Sequence, residues 1–339
     1  MQDKNQFDLI ISLFSNGKAQ EALDQLDPLI KDNPNNAVLF NISGACYAHI
    51  GEPIMAIKQY EQAIEIDSNY SEAYSSLGIT LKELGRSEEG IEKCSYAIKI
   101  DPEYAEGYVN LGLILYTTGN LNSALENVRL ASSIDPSSGI IKKLLAIMET
   151  KKIRENNYFN EKLKTLPTTI ILKRKVEKEL IIKLKNMKAL QLDKIKDPSF
   201  GNAKGSDYNL FDDKDPLIKA VAKDLTKIIN KEIGSNIYID DSFYTILGAG
   251  GRVDRHTHLS PQDRKFCNDF NINKYSLVYY LVTGDQKCSE PGILKLYDPI
   301  ESYLPTDGMM IMFPADREHS AKYNGNNDRM IIGVNFYAL

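Results

Sequence analysis

The chain has 339 residues, of which 42% are hydrophobic and 26% are charged, a composition typical of globular proteins long enough for two domains. Its net charge of -5 argues against general electrostatic binding to nucleic acid. No stretch approaches the ~20 consecutive apolar residues of a membrane span. Four scattered cysteines without a CxxC spacing predict free thiols and a cytoplasmic location.

The N-terminal half contains a pattern that recurs every 34 residues. Four segments fit this register: 3–36, 37–70, 71–104 and 105–138. Glycine occupies the fifteenth position of every segment, at Gly17, Gly51, Gly85 and Gly119. Small residues recur at the twentieth position, at Ala22, Ala56, Gly90 and Ala124. The pattern predicts pairs of closely packed antiparallel helices, because the glycine ends the first helix and small side chains allow close approach.

This pattern resembles the tetratricopeptide repeat over residues 3 to 138. The resemblance implies an α-solenoid of helical hairpins, which a capping helix at 139–155 would complete as a domain of residues 1–155. It also implies a concave surface that binds a protein or a peptide. A purely structural or self-associating stack of helices is the alternative.

The sequence changes character after the repeats. Residues 156–170 are predicted to form a linker, and 171–234 a helical lead-in to a second domain that spans 171–339. Within the lead-in, the lysine-rich stretch 171–190 is interpreted as an amphipathic packing helix. Residues 197–215 are predicted to form a loop that could cover a site, before a helix that starts after Asp-Pro and ends at glycine.

From residue 237 onward the hydrophobic period is two, which indicates β-strands. The predicted strands are 236–250, a run entering 252–258, 275–283, 292–299, 308–315 and 329–339. Turns are predicted at Gly250-Gly251, Gly284-Asp285, Pro291-Gly292, Asp307-Gly308 and Asn324-Gly325. Several short strands with such turns predict a small β-barrel or jelly roll.

Three of the chain's four histidines, His256, His258 and His319, fall in this β-rich region. Side chains two positions apart on a strand project from one face, so His256 and His258 are expected to point the same way. A third imidazole from a distant strand can complete a set around one metal ion. The sequence therefore predicts a metal site in the mouth of the β domain.

The order of motifs over residues 200 to 339 resembles the Fe(II)- and 2-oxoglutarate-dependent oxygenase superfamily, near its prolyl-hydroxylase-like branches. The matching order is His-x-His, a strand ending in Tyr-Tyr-Leu, Pro-Gly-Ile-Leu-Lys-Leu-Tyr, Phe-Pro, His319 and Arg329. The resemblance implies a double-stranded β-helix (jelly-roll) domain with flanking helices that binds Fe(II), 2-oxoglutarate and dioxygen.

The resemblance also implies roles for individual residues. Arg329 matches the arginine that grips the far carboxylate of 2-oxoglutarate through its guanidinium fork. Tyr280 matches the tyrosine whose hydroxyl commonly joins that arginine. Asn335 and Lys295 are further candidates for contacts with cosubstrate or substrate, with plain strand packing as the alternative for each.

The chain departs from the family at His258, where Asp or Glu is usual. His258 could itself bind the metal and give a three-histidine site. It could instead face elsewhere and leave a two-histidine site completed by water or by a nearby carboxylate, Asp254 or Asp263. In the third interpretation the domain is not catalytic.

These features together favour a dioxygenase that hydroxylates a protein or peptide recruited by the repeats. The fusion supports this hypothesis by analogy only, because helical repeats also accompany such domains in known peptidyl hydroxylases. Two alternatives remain: a three-histidine dioxygenase that does not use 2-oxoglutarate, and a non-catalytic scaffold with a degenerate barrel.

Overall fold

The computed structural model describes residues 2–156, 169–192, 201–206 and 209–339. The chain divides into two compact units, Met1–Ile153 and Arg154–Leu339. Most of the predicted linker 156–170 lies outside the described residues, and so does part of the predicted loop 197–215. The first unit is helical and the second combines a sheet with helices, which confirms the α + β class.

Helices α1 to α9 account for the described part of the first unit. They are Gln2–Ser15, Ala19–Asp32, Ala37–His49, Pro53–Ile66, Ser71–Glu83, Ser87–Ile100, Ala105–Thr117, Leu121–Ile134 and Gly139–Asn156. The first eight form the four predicted hairpins, and α9 lies where the capping helix was predicted. None of the described helices, in either unit, combines the length and apolar character needed to cross a bilayer.

The predicted reasons for helix pairing are confirmed. The fifteenth-position glycines have φ between 74° and 85°, the left-handed conformation that ends a helix. Gly78 on α5 faces its partner α6 so closely that a Cβ there would overlap Cys94 and the carbonyl of Gly90. Close approach of the two helices therefore depends on the missing side chain.

The second unit contains ten strands and three α-helices in its described part. Its helices are α10 (Lys178–Asn186), α11 (Pro216–Ile233) and α12 (Pro261–Phe270), with a 3-10 turn at Leu210–Asp212. The strands are β1 Ile170–Lys173, β2 Leu190–Gln191, β3 Gly201–Gly205, β4 Ile237–His256, β5 Asn273–Val282, β6 Leu294–Leu296, β7 Glu301–Tyr303, β8 Met309–Pro314, β9 His319–Tyr323 and β10 Arg329–Ala338.

The strands form one curled antiparallel sheet. Its order is β1-β8-β5-β10-β4-β9-β6-β7, with β3 paired to β4 and β2 paired to β3. The 20-residue β4 lies between β10 and β9 and pairs with both. Residues 237–247 of β4 pair with β10, and residues 251–256 pair with β9.

The two faces of β5 and β10 have different environments because side chains alternate along a strand. Leu277, Tyr279, Ile332 and Val334 pack with α10 and α11 in the main hydrophobic core. Residues of the opposite parity, including Tyr280 and Asn335, line a cavity. One face of the sheet is therefore structural, and the other is available for binding.

Several predicted elements of the second unit were wrong. The lead-in 171–234 is not wholly helical, because Ile170–Lys173 pairs with the edge of β8 and Gly201–Gly205 pairs with β4. The lysine-rich stretch is helical only at Lys178–Asn186. Gly250-Gly251 is not a turn but lies within β4, where Gly250 has a φ of 76°.

Candidate metal and anion site

His256 and His319 are brought together by strand pairing. His256 is the last residue of β4, His319 is the first residue of β9, and the two are direct partners in the antiparallel register. Their ring centres lie 4.3 Å apart. Residues far apart in sequence thus converge because β9, a strand that sequence reasoning did not predict, pairs with the end of β4.

His258 joins the pair from just beyond the end of β4. Its backbone N–H donates to the carbonyl of Ala315 at 2.9 Å, which holds the turn against β8. Its ring centre lies 4.8 Å from that of His256 and 4.9 Å from that of His319. The expected strand alternation of His256 and His258 is wrong, because His258 lies outside the strand, yet the rings still meet.

One potential ligand nitrogen from each of the three histidines lies within 4.8 Å of the others. Burial, with the neighbouring His256 acting in the same direction, lowers the pKa of His319 to about 3. Burial, with His319 and His256 nearby, also lowers the pKa of His258 well below its usual value. The two imidazoles are therefore neutral at physiological pH, the form that binds metal ions.

Backbone carbonyls orient two of the rings. Nδ1 of His256 lies 2.8 Å from the carbonyl oxygen of Asp254, and Nδ1 of His319 lies 3.4 Å from that of Arg317. A carbonyl oxygen only accepts hydrogen bonds, so each Nδ1 carries the proton and Nε2 is the unprotonated nitrogen of each ring. Such outer contacts fix the tautomer of metal-binding histidines.

Neither alternative carboxylate ligand is free at this cluster. Asp254 pairs with Arg252 at 3.3 Å, and Asp263 pairs with Lys274 at 3.2 Å. Burial would raise the pKa of Asp263, but hydrogen bonds from Tyr337 and Ser260 and the charge of Lys274 lower it to about 2. Asp263 also caps α12, with its carboxylate accepting from the backbone and hydroxyl of Ser260.

A cavity of about 730 Å³ is lined by the three histidines, Arg329 and Tyr280. Arg329 is the first residue of β10 and is only 1% exposed. Its Nη1 donates to the carbonyl of Gly292, while its Nε has no hydrogen-bond partner in the described part of the chain. Among the residues that the structure describes, no carboxylate pairs with this guanidinium.

The buried position of Arg329 is electrostatically costly. Desolvation lowers its pKa, and Tyr280 is the main group that opposes this shift. An unpaired buried cation costs several kcal/mol after relaxation. An anionic ligand entering the cavity would supply the missing partner, with a bidentate fork available for a carboxylate.

Of the two further candidates for ligand contacts, Asn335 lines the cavity and Lys295 does not. Asn335 lines the cavity and is 3% exposed, within hydrogen-bond distance of Ser276 and Asp241. Lys295 is exposed on β6 and is not among the residues that line the cavity. A contact from Lys295 to a small ligand in the cavity is therefore not supported by its position.

Sequence reasoning missed a polar cluster at the cavity wall. Lys274 on β5, with a side chain 5% exposed, pairs with Asp240 at 2.7 Å and with Asp263 at 3.2 Å. Lys274 and Ser276 have the same strand parity as Tyr280. This shared parity could have identified Lys274 and Ser276 from the sequence, because Tyr280 was already a site candidate.

Comparison with known proteins identifies the first unit. Residues 55–85 match a family model described as TPR repeat, and residues 105–138 match one described as tetratricopeptide repeat. Among curated proteins, none matches the chain.

Similar solved structures correspond to less than half of the chain. The structure of MamA is 26% identical and covers 44% of this chain and 88% of its own, with a TM-score of 0.36. TTC0263, a thermophilic TPR protein of Thermus thermophilus, is 18% identical. It covers 45% of this chain and 84% of its own, with a TM-score of 0.42. The matches to family models and the 34-residue period together show that the helical first unit contains tetratricopeptide repeats.

Proposed function

We propose that the second unit is an Fe(II)- and 2-oxoglutarate-dependent dioxygenase with a jelly-roll fold. The observation that carries this proposal is the shared cavity, in which three clustered histidines accompany a buried guanidinium that no described carboxylate pairs with. Imidazole nitrogens suit iron, and a dicarboxylic acid suits a site that has both a metal position and a separate cation.

The residues present fit both groups. His256 and His319 offer Nε2 lone pairs to a metal ion, and the guanidinium of Arg329 offers donors to a distant carboxylate. When bound, Fe(II) with 2-oxoglutarate would supply the activation of dioxygen for hydroxylation. The apolar wall, which includes Val278 and Ile331, would exclude water from around the reacting groups.

We further propose that the repeats recruit a protein or peptide substrate. Repeat arrays of this kind present an extended concave surface because each hairpin packs only on its neighbours. The four cysteines are all free thiols, which supports a reducing, cytoplasmic setting. Recruitment by the repeats would raise the effective concentration of the substrate near the second unit.

The test is release of succinate from 2-oxoglutarate by the anaerobically iron-loaded full chain after admission of dioxygen. His319→Ala and Arg329→Ala should each reduce turnover at least a hundredfold. Lys322→Ala and Arg252→Ala, exposed residues of β9 and β4, are matched controls and should retain it.

Three results would count against the proposal. Turnover that persists in both cavity variants would remove the enzymatic assignment. Oxygen uptake without 2-oxoglutarate, insensitive to Arg329→Ala, would favour a three-histidine dioxygenase of another kind. A folded chain that binds no iron would favour the non-catalytic scaffold.

A further inference from the structure

Helix α11 carries a lysine at every fourth position of its exposed side. This lysine row consists of Lys219, Lys223, Lys227 and Lys231, all of which are exposed. Four residues rise about 6 Å along an α-helix and turn it about 40° beyond a full circle. The row is therefore ~18 Å long and winds through about 120° of the helix surface. The opposite side of α11 is buried in the main hydrophobic core, which holds the row in a fixed position.

No carboxylate in the described part of the chain pairs with the lysine row. Asp215, at the start of the helix, pairs instead with Lys183 at 2.7 Å. Asp224, in the middle of the helix, pairs with Arg174 at 2.7 Å. Glu232 follows the last lysine of the row but is turned about 100° away from it around the helix. Like charges four residues apart on a helix repel each other, so an anion that contacts several of these lysines at once would relieve an existing repulsion.

A second group of lysines lies beside α11. Three exposed lysines line a surface depression of about 590 Å³: Lys173, Lys175 and Lys178. Arg174, between two of them, donates to Asp224 of α11 at 2.7 Å, so this group is fixed against the helix that carries the lysine row. The depression is also lined by Asp307, whose carboxylate already accepts two hydrogen bonds from Thr283. Positive charge therefore extends from the lysine row onto the neighbouring segment.

We propose that the lysine row and these three further lysines bind the phosphate backbone of a nucleic acid. The net charge of -5 argues against a general attraction between the whole chain and a polyanion. Charges act locally, however, because the Debye length at physiological salt is about 8 Å. A local cluster of lysines can thus bind phosphates on a chain that is acidic overall. This activity goes beyond the proposed oxygenase function and does not depend on the metal site.

The geometry of the lysine row favours a strand over a flat membrane. One strand of a duplex has a phosphate about every 3.4 Å along its axis, so the row spans about five phosphates. A strand can follow a row that winds around a helix, whereas a flat bilayer would contact only part of it. Helices that bind membranes also insert apolar side chains, but those of α11, such as Val221 and Leu225, are buried in the core.

Binding should not depend on base sequence. Lysine contacts phosphates as a point charge, and contacts with phosphates carry no sequence information. Helix α11 has no aromatic side chain on which a base could stack. We therefore expect a Kd of order 10⁻⁴–10⁻⁶ M at physiological salt, the range of sequence-independent binding.

The first experiment measures binding of the full chain to a fluorescein-labelled 20-nucleotide oligo(U) RNA by fluorescence anisotropy, over a series of KCl concentrations. If all of these lysines contact phosphates, the logarithm of the association constant should fall against the logarithm of the salt concentration with a slope of about -5. An RNA of the same length and mixed sequence should give the same slope and an affinity within about threefold.

The second experiment removes the two lysine groups separately. The quadruple variant Lys219→Gln, Lys223→Gln, Lys227→Gln and Lys231→Gln should reduce the slope to about -2 and weaken binding at low salt by about tenfold or more. The triple variant Lys173→Gln, Lys175→Gln and Lys178→Gln should reduce the slope to about -3. Glutamine has nearly the same helix propensity as lysine, so both variants should keep the circular dichroism and melting temperature of the wild type.

The matched control removes four exposed lysines of the repeats: Lys31→Gln, Lys58→Gln, Lys99→Gln and Lys142→Gln. This variant changes the net charge as much as the loss of the lysine row does, yet its slope should stay near that of the wild type. An equal loss of binding in the control and in the lysine-row variant would mean that only the total charge matters. That result would overturn the inference.

Two further results would also overturn it. The first is a wild-type chain that does not bind either RNA at low salt. The second is binding to phosphatidylserine vesicles, or to poly-glutamate, that is as tight as binding to RNA, which would assign the surface to a membrane or to an acidic protein. None of these measurements involves iron or 2-oxoglutarate. Their failure would leave the proposed function intact, and an absence of succinate release would leave this inference intact.

Discussion

The guanidinium of Arg329 lies over the ring of Tyr280, with 4.8 Å between its central carbon and the ring centre. Tyr280 pairs with Ile331 across β5 and β10, so the strand register brings the two side chains to one face. A desolvated cation–π contact contributes about 2 kcal/mol. Burial of an unpaired ion costs several kcal/mol, so Tyr280 compensates for only part of that cost.

Removal of this cation should therefore not destabilise the protein. For Arg329→Met in the absence of ligand, we expect unchanged stability or a gain of about 1–2 kcal/mol, because a buried unpaired charge is replaced by an apolar chain. The melting temperature of the wild-type chain should rise with N-oxalylglycine and metal, and that of the variant should not. Differential scanning calorimetry measures both effects.

The control is a second buried arginine that does have a partner. Arg317 donates to Glu301 at 2.8 Å and to the carbonyl of Tyr297 at 3.0 Å. Arg317→Met should lose about 2–3 kcal/mol, since it removes charge-assisted hydrogen bonds. Equal losses in Arg329→Met and Arg317→Met would show that Arg329 is a structural cation rather than a ligand-binding one.

Gly292 should be required for the position of Arg329. It has a φ of 76°, and a Cβ at this residue would overlap the Arg329 guanidinium. Gly292→Ala should raise the KM for 2-oxoglutarate at least tenfold by displacing the guanidinium. Gly234→Ala is the control, because Gly234 has a φ of 71° with open space around it.

Both glycine variants should lose about 1 kcal/mol through their backbone conformation. Only Gly292→Ala should also change the KM. Steady-state kinetics at varied 2-oxoglutarate, with melting curves for both proteins, separates the two effects. A KM that rises equally in both variants would mean that general destabilisation is responsible.

The metal-free protein should lose stability as the pH falls below about 6.5. In the folded chain the pKa of His319 is about 3, and that of His258 is also lowered from the ordinary value of 6.5. Below pH 6.5 the unfolded chain therefore binds more protons than the folded chain. Stability is thus fully present above the unfolded pKa and is lost toward the folded pKa. From pH 7.5 to 5.5 we expect a loss of ~1 kcal/mol from His319, and a further loss in the same direction from His258.

Chemical unfolding in the presence of a chelator, at a series of pH values, measures this slope. His319→Gln should remove the part of this loss that comes from His319, because glutamine does not titrate. A slope identical in His319→Gln and the wild type would contradict the assigned pKa shift.

In the repeats, Gly78→Ala should lower stability by about 1–3 kcal/mol, because the new methyl group overlaps Cys94 and the Gly90 carbonyl. Gly139→Ala, where a Cβ meets nothing within 4 Å, should be neutral or stabilising. Circular dichroism at 222 nm follows this helical transition. Equal effects of the two substitutions would show that the α5–α6 contact can relax around a methyl group.

The repeats were predictable because their determinants are local and periodic. A glycine every 34 residues and small residues at fixed offsets specify each hairpin without reference to distant parts of the chain. The helix boundaries followed from the same signals, as in Ser71–Glu83 and Ser87–Ile100. The lead-in was harder, since the strand at Ile170–Lys173 exists only because the edge of β8 is available to pair with it.

The candidate site was predictable in its residue types but not in its geometry. The spacing of His256 and His258 suggested one strand face, whereas His258 lies in the turn beyond β4. The contacts of Asn335 with Ser276 and Asp241 join three strands. Such a network depends on the register between β4, β5 and β10, which hydrophobic periodicity does not specify.

Because His256 pairs directly with His319, an ion bound by both as proposed would cross-link β4 and β9. Metal binding and the pairing of these two strands would then be thermodynamically linked, so a bound ion would stabilise the paired state. Amide hydrogen exchange in Gly251–Val253 and their partners Ala321–Tyr323 would slow upon metal loading, in proportion to occupancy. Iron supply in the cell would in this way set the stability of the β4–β9 pairing as well as the proposed chemistry.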